Sequence, residues 1–487
     1  MAKSGFGWAL LALISLVGDL SAKGPNVLLI VSDDLNRHLA ITGYDQVATP
    51  ALTRLAQIGM RFNRAYCQYP VCGPSRASFL TGVYPESTGV LDNKTDMRVV
   101  SPELKSLPQL FKEAGYWTGG VGKVFHGKLD QGEVAWDEYH MFQNEWNPVL
   151  KPAQDAFESE FGSVDLPKNQ KAWRARLKEL RAAAGGQTPP GYGPTQMTDA
   201  QHRDGKNVRQ VSSWLRNEEH GEQPFFIACG IHKPHVPFWA PQKYFDMHPP
   251  QEIQLATVPP ADWDDIPAKA LVHRYEAFGF ESGIEDMVLR RKYMQAYHAC
   301  VSFVDTQIAE LWKAMDERNL WEDTIVIFIS DHGYHLGEHF LWGKVTLFEE
   351  CARVPMLIHA PGMTIAESES QSLVELVDLV PTLCQLCDIA IPEYVQGLSL
   401  KPVLKNPSVT VKKQAYTVVT RGPSTLGRSV RTERWRFADW GDEQFELYDL
   451  KNDPTEVENR IKMRPELQLE RMQRVLKQAK NRAVEKN

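Results

Sequence analysis

Three short stretches carry the side chains with most to offer chemically: Asp33 and Asp34 in "NVLLIVSDD", Cys72 in "VCGPSRASFLTG", and Asp331 with His332 in "TIVIFISDH". Carboxylates gathered this densely repel one another unless a cation neutralises them. Oxygen donors suit a hard divalent ion, calcium or magnesium, and calcium tolerates the irregular geometry that adjacent backbone positions impose. His332 fits that set less naturally, because nitrogen is an uncommon ligand for calcium; it belongs at the metal edge or on a substrate oxygen. Cys72 raises a different question. Pro74 presets a first helical turn and the helix runs to Gly82, so the thiol sits at a helix N-terminus, where backbone N–H groups and the dipole favour an anion. A thiol there can become a reactive thiolate. A cysteine hydrolase would also need a histidine and an orienting carboxylate, and it would leave the aspartates without purpose, since a thiolate partners a hard cation poorly.

These residues need elements to hold them. Apolar runs of strand length occur at 26–32, 117–122, 224–231, 324–330 and 354–360, with amphipathic helices such as "SLPQLFKEAGY" and a long one over 288–318 between several of them. Continuous apolar strands alternating with helices predict an α/β fold with a mostly parallel sheet buried on both faces. Four of the runs end in chemistry: Asp33 and Asp34 after the first, Lys123 and His126 after the second, His232, Lys233 and His235 after the third, Asp331 and His332 after the fourth. Ligands of open α/β sheets bind beyond the carboxyl ends of the strands. Any one of these residues alone has an ordinary structural explanation, as a cap or a solvated turn; their common placement favours a site.

The whole chain sets outer limits. At 487 residues, 43% hydrophobic and 24% charged, it has the composition of a folded globular protein rather than a disordered one. A net charge of -7 gives no basic footprint for nucleic acid. Lys3, the apolar run from Trp8 to Gly18, and Ser21–Ala22 read as a signal peptide over residues 1–22. The run is too short for a bilayer span, which predicts an exported protein without a stable membrane anchor. Seven cysteines are an odd number, so at least one is unpaired or modified; Cys384 and Cys387 read as packing residues, because a zinc site would need a second such pair. The insertion over 131–205, with Trp136, His140, Trp146 and Trp173, either contacts a sugar or packs on itself. "PFWAPQKYFDMHPP" reads as surface loop. Beyond residue 400, alternating β-rich runs precede a charged helix from about 463. The expected organisation is therefore a leader, a catalytic α/β domain over 23–400 and a C-terminal α+β subdomain over 401–487.

Cys72-Gly73-Pro74-Ser75-Arg76 followed by Leu80-Thr81-Gly82 resembles the C-x-P-S-R-x-x-x-L-T-G signature of type I sulfatases. The resemblance extends from "NVLLIVSDD" through "GKVFH", "GIHKPHVPF" and "SDHGYHLGEHFLWGK" to "ELYDLKNDPTEVEN", and within the family the motifs look most like the iduronate-2-sulfatase branch. It implies an alkaline-phosphatase-like sandwich, with a small antiparallel C-terminal sheet, and sulfate ester hydrolysis on a sulfated carbohydrate such as an iduronate-2-sulfate-like uronic acid. It also implies that a formylglycine-generating maturation enzyme oxidises Cys72, whose hydrated aldehyde attacks sulfur and later expels sulfate. By motif position, Asp33, Asp34, Asp331 and His332 with modified Cys72 resemble the ligands of one Ca2+. Arg76 would brace the site, Lys123 and Lys344 would meet sulfate oxygens, and His126 would act as the base. His232 would bind sulfate and protonate the leaving group, with His235 its competitor for that role. Tyr334, His335 and His339, close to the metal motif in sequence, are expected in the substrate pocket. Such an enzyme is secreted or periplasmic, or lysosomal in a eukaryote. A phosphate or phosphonate monoester hydrolase of the same superfamily, or a non-catalytic binder of sulfated glycans, are the alternatives.

Overall fold

The computed structural model describes residues 24–126, 134–142, 151–164, scattered positions between 166 and 179, 192–271, 287–463 and 466–484. The leader expected over 1–22 lies outside them, as does Trp146. Among the described residues one nine-stranded sheet forms the centre: β1 (Asn26–Asp33), β2 (Met60–Tyr66), β3 (Trp117–Gly122), β4 (Glu138–His140), β5 (Phe225–Pro234), β6 (Thr324–Ser330), β7 (Arg353–Val354), β8 (Met356–His359) and β9 (Ser368–Glu375). Their order is β7-β2-β8-β6-β1-β5-β3-β4, with β9 also pairing β2. The pairings are parallel except those of β7 and β8, which run against β2 and β6. The apolar run at 354–360 is thus a strand, but it returns in the opposite sense to the others.

Strand β1 shows why its neighbours must be layered on both sides. Leu28 and Ile30 enter one hydrophobic cluster, with α1 (Pro50–Ile58), while Val27, Leu29 and Val31 enter another, with α2 (Cys72–Thr81) and α3 (Leu107–Glu113). Alternate side chains leave a strand on opposite faces, so a run apolar at every position needs two covers. The first cover also includes α4 (Arg203–Asn217) and α5 (Met287–Glu317), and the second includes α6 (Leu379–Leu386). No helix among the described residues is long and apolar enough to cross a membrane. All seven cysteines are buried and free, and Cys384 and Cys387 lie in the second cluster.

Strands β10 (Gln414–Arg421), β11 (Thr425–Thr432), β12 (Trp435–Asp439) and β13 (Phe445–Asp449) form a separate antiparallel sheet, and α7 (Glu466–Val484) packs on it. Val403 and Leu404 still pack in the core of the main layer, so the chain leaves it only after Lys405. Tyr69, Leu347 and Phe348 share a core with Val418, Phe437 and Met472, which joins the two sheets through apolar contact. "PFWAPQKYFDMHPP" is not the surface loop its prolines indicated. Phe238–Pro241 pairs with Tyr192–Thr195, and Phe238, Ala240, Tyr244 and Phe245 are buried, their apolar surface outweighing the turn signal. Trp136 and Trp173 are likewise buried, the former stacked on Tyr139 and the latter against Phe157.

A polar tie also crosses the junction. The Lys412 ammonium lies 2.5 Å from both Glu375 and Asp378, all three fully enclosed, and Glu375 further accepts hydrogen bonds from the Tyr84 hydroxyl and the Tyr416 amide. Removing one partner of such a buried set strands its opposite charge. Lys412→Met is therefore expected to cost about 3–5 kcal/mol of stability, seen as a lowered thermal midpoint that Glu375→Gln with Asp378→Asn partly restores; an unchanged midpoint would refute the tie.

Candidate active site

Register brings the acidic residues together. Ser32 lies opposite Ser330 in the parallel β1–β6 pair, so Asp33 and Asp34 leave the sheet beside Asp331. Asp34 turns the chain at φ 65°, a left-handed conformation costly for a side chain with a Cβ. The Tyr297 hydroxyl holds that turn, donating to the Asp34 carbonyl at 2.7 Å and accepting the Asn36 amide at 2.8 Å. The Asp34 amide in turn donates to Asp331 Oδ1 at 3.2 Å.

Cys72 arrives on the first turn of α2, which Gly82 ends at φ 74°. Its Sγ lies 3.3 Å from Asp33 Oδ1, 3.3 Å from His332 Nε2 and 3.1 Å from Lys344 Nζ, with the residue 1% exposed. One turn on, Arg76 reaches back under this cluster. Its Nε donates to Asp331 Oδ2 at 2.9 Å and its Nη1 to the Val124 carbonyl at 3.0 Å, while Nη2 lies 3.7 Å from Asp33. Ser75 Oγ donates to the Asp331 carbonyl at 2.5 Å. The same helix therefore carries residue 72 and clamps it to the β6 end.

The other cations come from separate strand ends. The Lys123 ammonium, just past β3, pairs with Asp33, and Lys344 Nζ lies 2.5 Å from Asp34 Oδ1. Gly230 permits the close approach of β5 to β3 there, since a Cβ on it would stand 2.2 Å from the Lys123 carbonyl carbon. His232 Nδ1 is 4.0 Å from Asp33 and His235 Nε2 is 3.9 Å from Asp34, the two rings 4.8 Å apart. His332 donates from Nδ1 to the Gly333 carbonyl at 3.0 Å, and its Nε2 lies 3.4 Å from Asp34.

The charge balance of this pocket is tight. Burial alone would raise the Asp33 carboxyl, but Lys123, His235 and Arg76 outweigh it and hold the group well below the usual carboxylate range. Burial lifts Asp331 to about 7 despite Arg76. Burial would depress His332, yet Asp331 and Cys72 bring it up to about 9. For Cys72, burial and Asp33 push the thiol up, and Lys123, Lys344 and His332 more than reverse the push, leaving it well below the ordinary thiol range.

A divalent cation fits these donors. Ligand atoms of Asp33, Cys72, Asp331 and His332 lie within 4.8 Å of one another, as do those of Asp33, Asp34, Cys72 and His235. Asp34 Oδ2 is buried without a hydrogen-bond partner, a lone carboxylate oxygen that a metal would satisfy.

Other expected residues lie apart from this contact set. His126 lines a small cavity with Gly73, Arg76 and Ala77, its Nδ1 buried and unpartnered. Tyr334, His335 and His339 are 0%, 0% and 2% exposed, and they take interior partners instead of facing an opening. Tyr334 packs against Phe238 and Tyr297, His335 meets Thr346 at 2.7 Å, and His339 meets Asp262 at 3.0 Å while stacking on Phe348. Conversely, Asp204 passed unnoticed. Sitting at the start of α4, it accepts the His232 amide at 2.8 Å and the Lys233 amide at 2.9 Å and so fixes the end of β5. Its only sequence signal is an acid in a helix's first turn.

A carboxylate and lysine pocket around a helix-borne residue 72, at the carboxyl edge of a mostly parallel sheet, defines a hydrolase of the alkaline-phosphatase-like class. The chain belongs to the sulfatase family, enzymes that hydrolyse sulfuric esters: the family model "Sulfatase" matches residues 25–389, and one for the C-terminal part of N-sulphoglucosamine sulphohydrolase matches 337–485. A sulfatase of Formosa agariphila is 30% identical over 444 residues, 89% of this chain and 82% of that one. Human iduronate 2-sulfatase is 32% identical over 405 residues, 75% of this chain and 70% of that one. Of solved structures, BT4656 with D-glucosamine-2-N,6-O-disulfate superposes at TM-score 0.72 and 20% identity, covering 95% of this chain and 98% of that one. The phosphonate monoester hydrolase of Agrobacterium radiobacter superposes at TM-score 0.75 and 22% identity, covering 94% and 96%. These last two share the fold.

Asp34→Asn is expected to weaken divalent cation binding by at least about tenfold, because it removes the charge of a carboxylate whose Oδ2 lacks a hydrogen-bond partner. Metal content after dialysis, measured by emission spectrometry, tests this, and full retention of the ion would place the metal elsewhere.

Proposed function

We propose that this chain is an exported sulfatase that releases sulfate from a sulfated carbohydrate, using formylglycine made from Cys72 and one Ca2+. The single observation that carries the reading is residue 72, enclosed on a helix N-terminus between Asp33, His332 and Lys344. Support for a carbohydrate comes from relatives named for iduronate 2-sulfate, ulvan and N-acetylglucosamine-6-O-sulfate. Export rests on the leader-like residues 1–22.

Asp33, Asp34, Asp331 and residue 72 would hold the ion, with His332 Nε2 at its edge. When bound, the calcium supplies charge neutralisation beside residue 72. Formylglycine at 72 supplies a hard oxygen nucleophile where a thiolate would be soft. The remaining work belongs to the chain. Lys123 and Lys344 present ammoniums to the sulfate oxygens and steady the charge that shifts as the S–O bond breaks. Arg76 keeps Asp331 and α2 in register. His232, whose backbone Asp204 fixes, donates a proton to the departing alcohol; burial, Arg203 and His235 hold its pKa well below the ordinary value, and the negative charge of an arriving sulfate opposes that shift. His235 is less suited to this role because its Nδ1 is engaged with the Val236 carbonyl at 2.7 Å. His126, beside Gly73, serves as the base.

Cys72→Ala is expected to abolish sulfate release while leaving the thermal midpoint near that of the parent; substantial residual turnover would refute the nucleophile. Peptide mass spectrometry across residue 72 of active enzyme should find the aldehyde, and an unmodified thiol in fully active protein would refute the maturation step. Lys123→Ala and Lys344→Ala should each lower kcat by about 10²–10³. Aryl sulfate should turn over faster than aryl phosphate; the reverse would make the enzyme a phosphate or phosphonate ester hydrolase.

A further inference from the structure

Away from the site, a cleft of about 1100 Å3 lies between the β2–β9 edge of the main sheet and the C-terminal sheet with α7. Arg64, Lys413 and Arg471 line it, and none of these has a hydrogen bond or ion pair from its side chain among the described residues. Glu433 is the one lining acid that is similarly unpaired, since Glu369 is engaged by Arg61 and Asn63. For a chain of net charge -7, three cations without ion-pair partners against one such acid leave this cleft locally positive. One feature goes beyond charge. Trp435 lines the cleft half-buried, with the Arg434 guanidinium 4.9 Å over its ring centroid, an aromatic of the kind whose other face packs against the apolar face of a sugar ring.

We infer that this cleft is a second saccharide site, which binds a segment of a sulfated polysaccharide while another segment occupies the active site. The inference rests on the sulfated-carbohydrate reading above and assigns it a second point of attachment. Arg64, Lys413 and Arg471 meet sulfate or carboxylate groups along the chain, and Trp435 packs against a ring. The cleft shares no lining residue with the catalytic cluster, so its loss acts on long substrates and spares short ones. Linked binding of two segments raises the effective concentration of the second.

Octasaccharides of heparan sulfate, chondroitin sulfate and carrageenan titrated calorimetrically into the Cys72→Ala protein test this without turnover. At least one is expected to bind, with affinity that falls as salt rises. In the same background, Arg64→Ala with Lys413→Ala and Arg471→Ala should weaken that binding by about tenfold or more. Arg471→Glu alone, at an exposed helix position, covers the case in which the triple variant fails to fold. Trp435→Ala should weaken the octasaccharide but not inorganic polyphosphate. In mature enzyme without the Cys72→Ala substitution, the charge variants should turn over an aryl sulfate within about twofold of the parent rate while KM for the octasaccharide rises. Unchanged octasaccharide binding in the variants, binding by none of the three octasaccharides, or polyphosphate bound as tightly as the best of them would each overturn the second site. If mature enzyme releases sulfate from no sulfated saccharide yet the variants still lose octasaccharide binding, the substrate reading fails and the cleft stands.

Discussion

Two neighbouring parallel strands are about 4.8 Å apart, and here both end in carboxylates. With Ser32 beside Ser330, Asp33, Asp34 and Asp331 are forced into one buried space where their charges cannot coexist unaided. Nearly every neighbouring feature answers that repulsion. Arg76 takes Asp331, Lys123 takes Asp33, Lys344 takes Asp34, and one carboxylate oxygen, Asp34 Oδ2, is still left over. The electrostatic shortfall at the β1–β6 edge is one that a divalent cation would satisfy, and the same cations that relieve it are the ones an anionic ester would meet.

Positioning is divided between elements that share little local sequence. Helix α2 supplies both residue 72 and the guanidinium that anchors it, so rotation of the helix would disturb both together. Asp204 on α4 holds the end of β5, and Tyr297 on α5 holds the turn at Asp34. These supports keep donors and acceptors fixed before substrate arrives, which is the arrangement that makes fixed charge effective in an enclosed site.

Much of this was legible in the chain. Runs apolar at every position, as in β1, β5 and β6, identify buried parallel strands, and the polar residues after them identify the site edge. Strands β2 and β9 were not legible because Arg61, Asn63 and Arg64 in one and Ser368 to Ser372 in the other interrupt the apolar signal; they are recognisable only through their pairing with each other and, for β2, with β7 and β8. Asp33, Asp34, Cys72 and Asp331 could be grouped because each follows or opens a recognisable element. Asp204 and Tyr297 act through a backbone amide, a carbonyl and a hydroxyl, contacts that leave no motif. Tyr334, His335 and His339 are close to the metal motif in sequence, but their partners, Thr346 for His335 and Asp262 for His339, become visible only in the fold.

The order in which the sheet is made has its own consequence. Strand β2, which leads directly to Cys72, pairs among the described residues only with β7, β8 and β9, so its first strand partner is not made until residue 353 and its last not until residue 375. At ordinary translation rates that leaves an interval on the order of tens of seconds. Once the last strand docks, the residue is 1% exposed. Any protein that must handle that thiol has to reach it before the edge of the sheet closes over it.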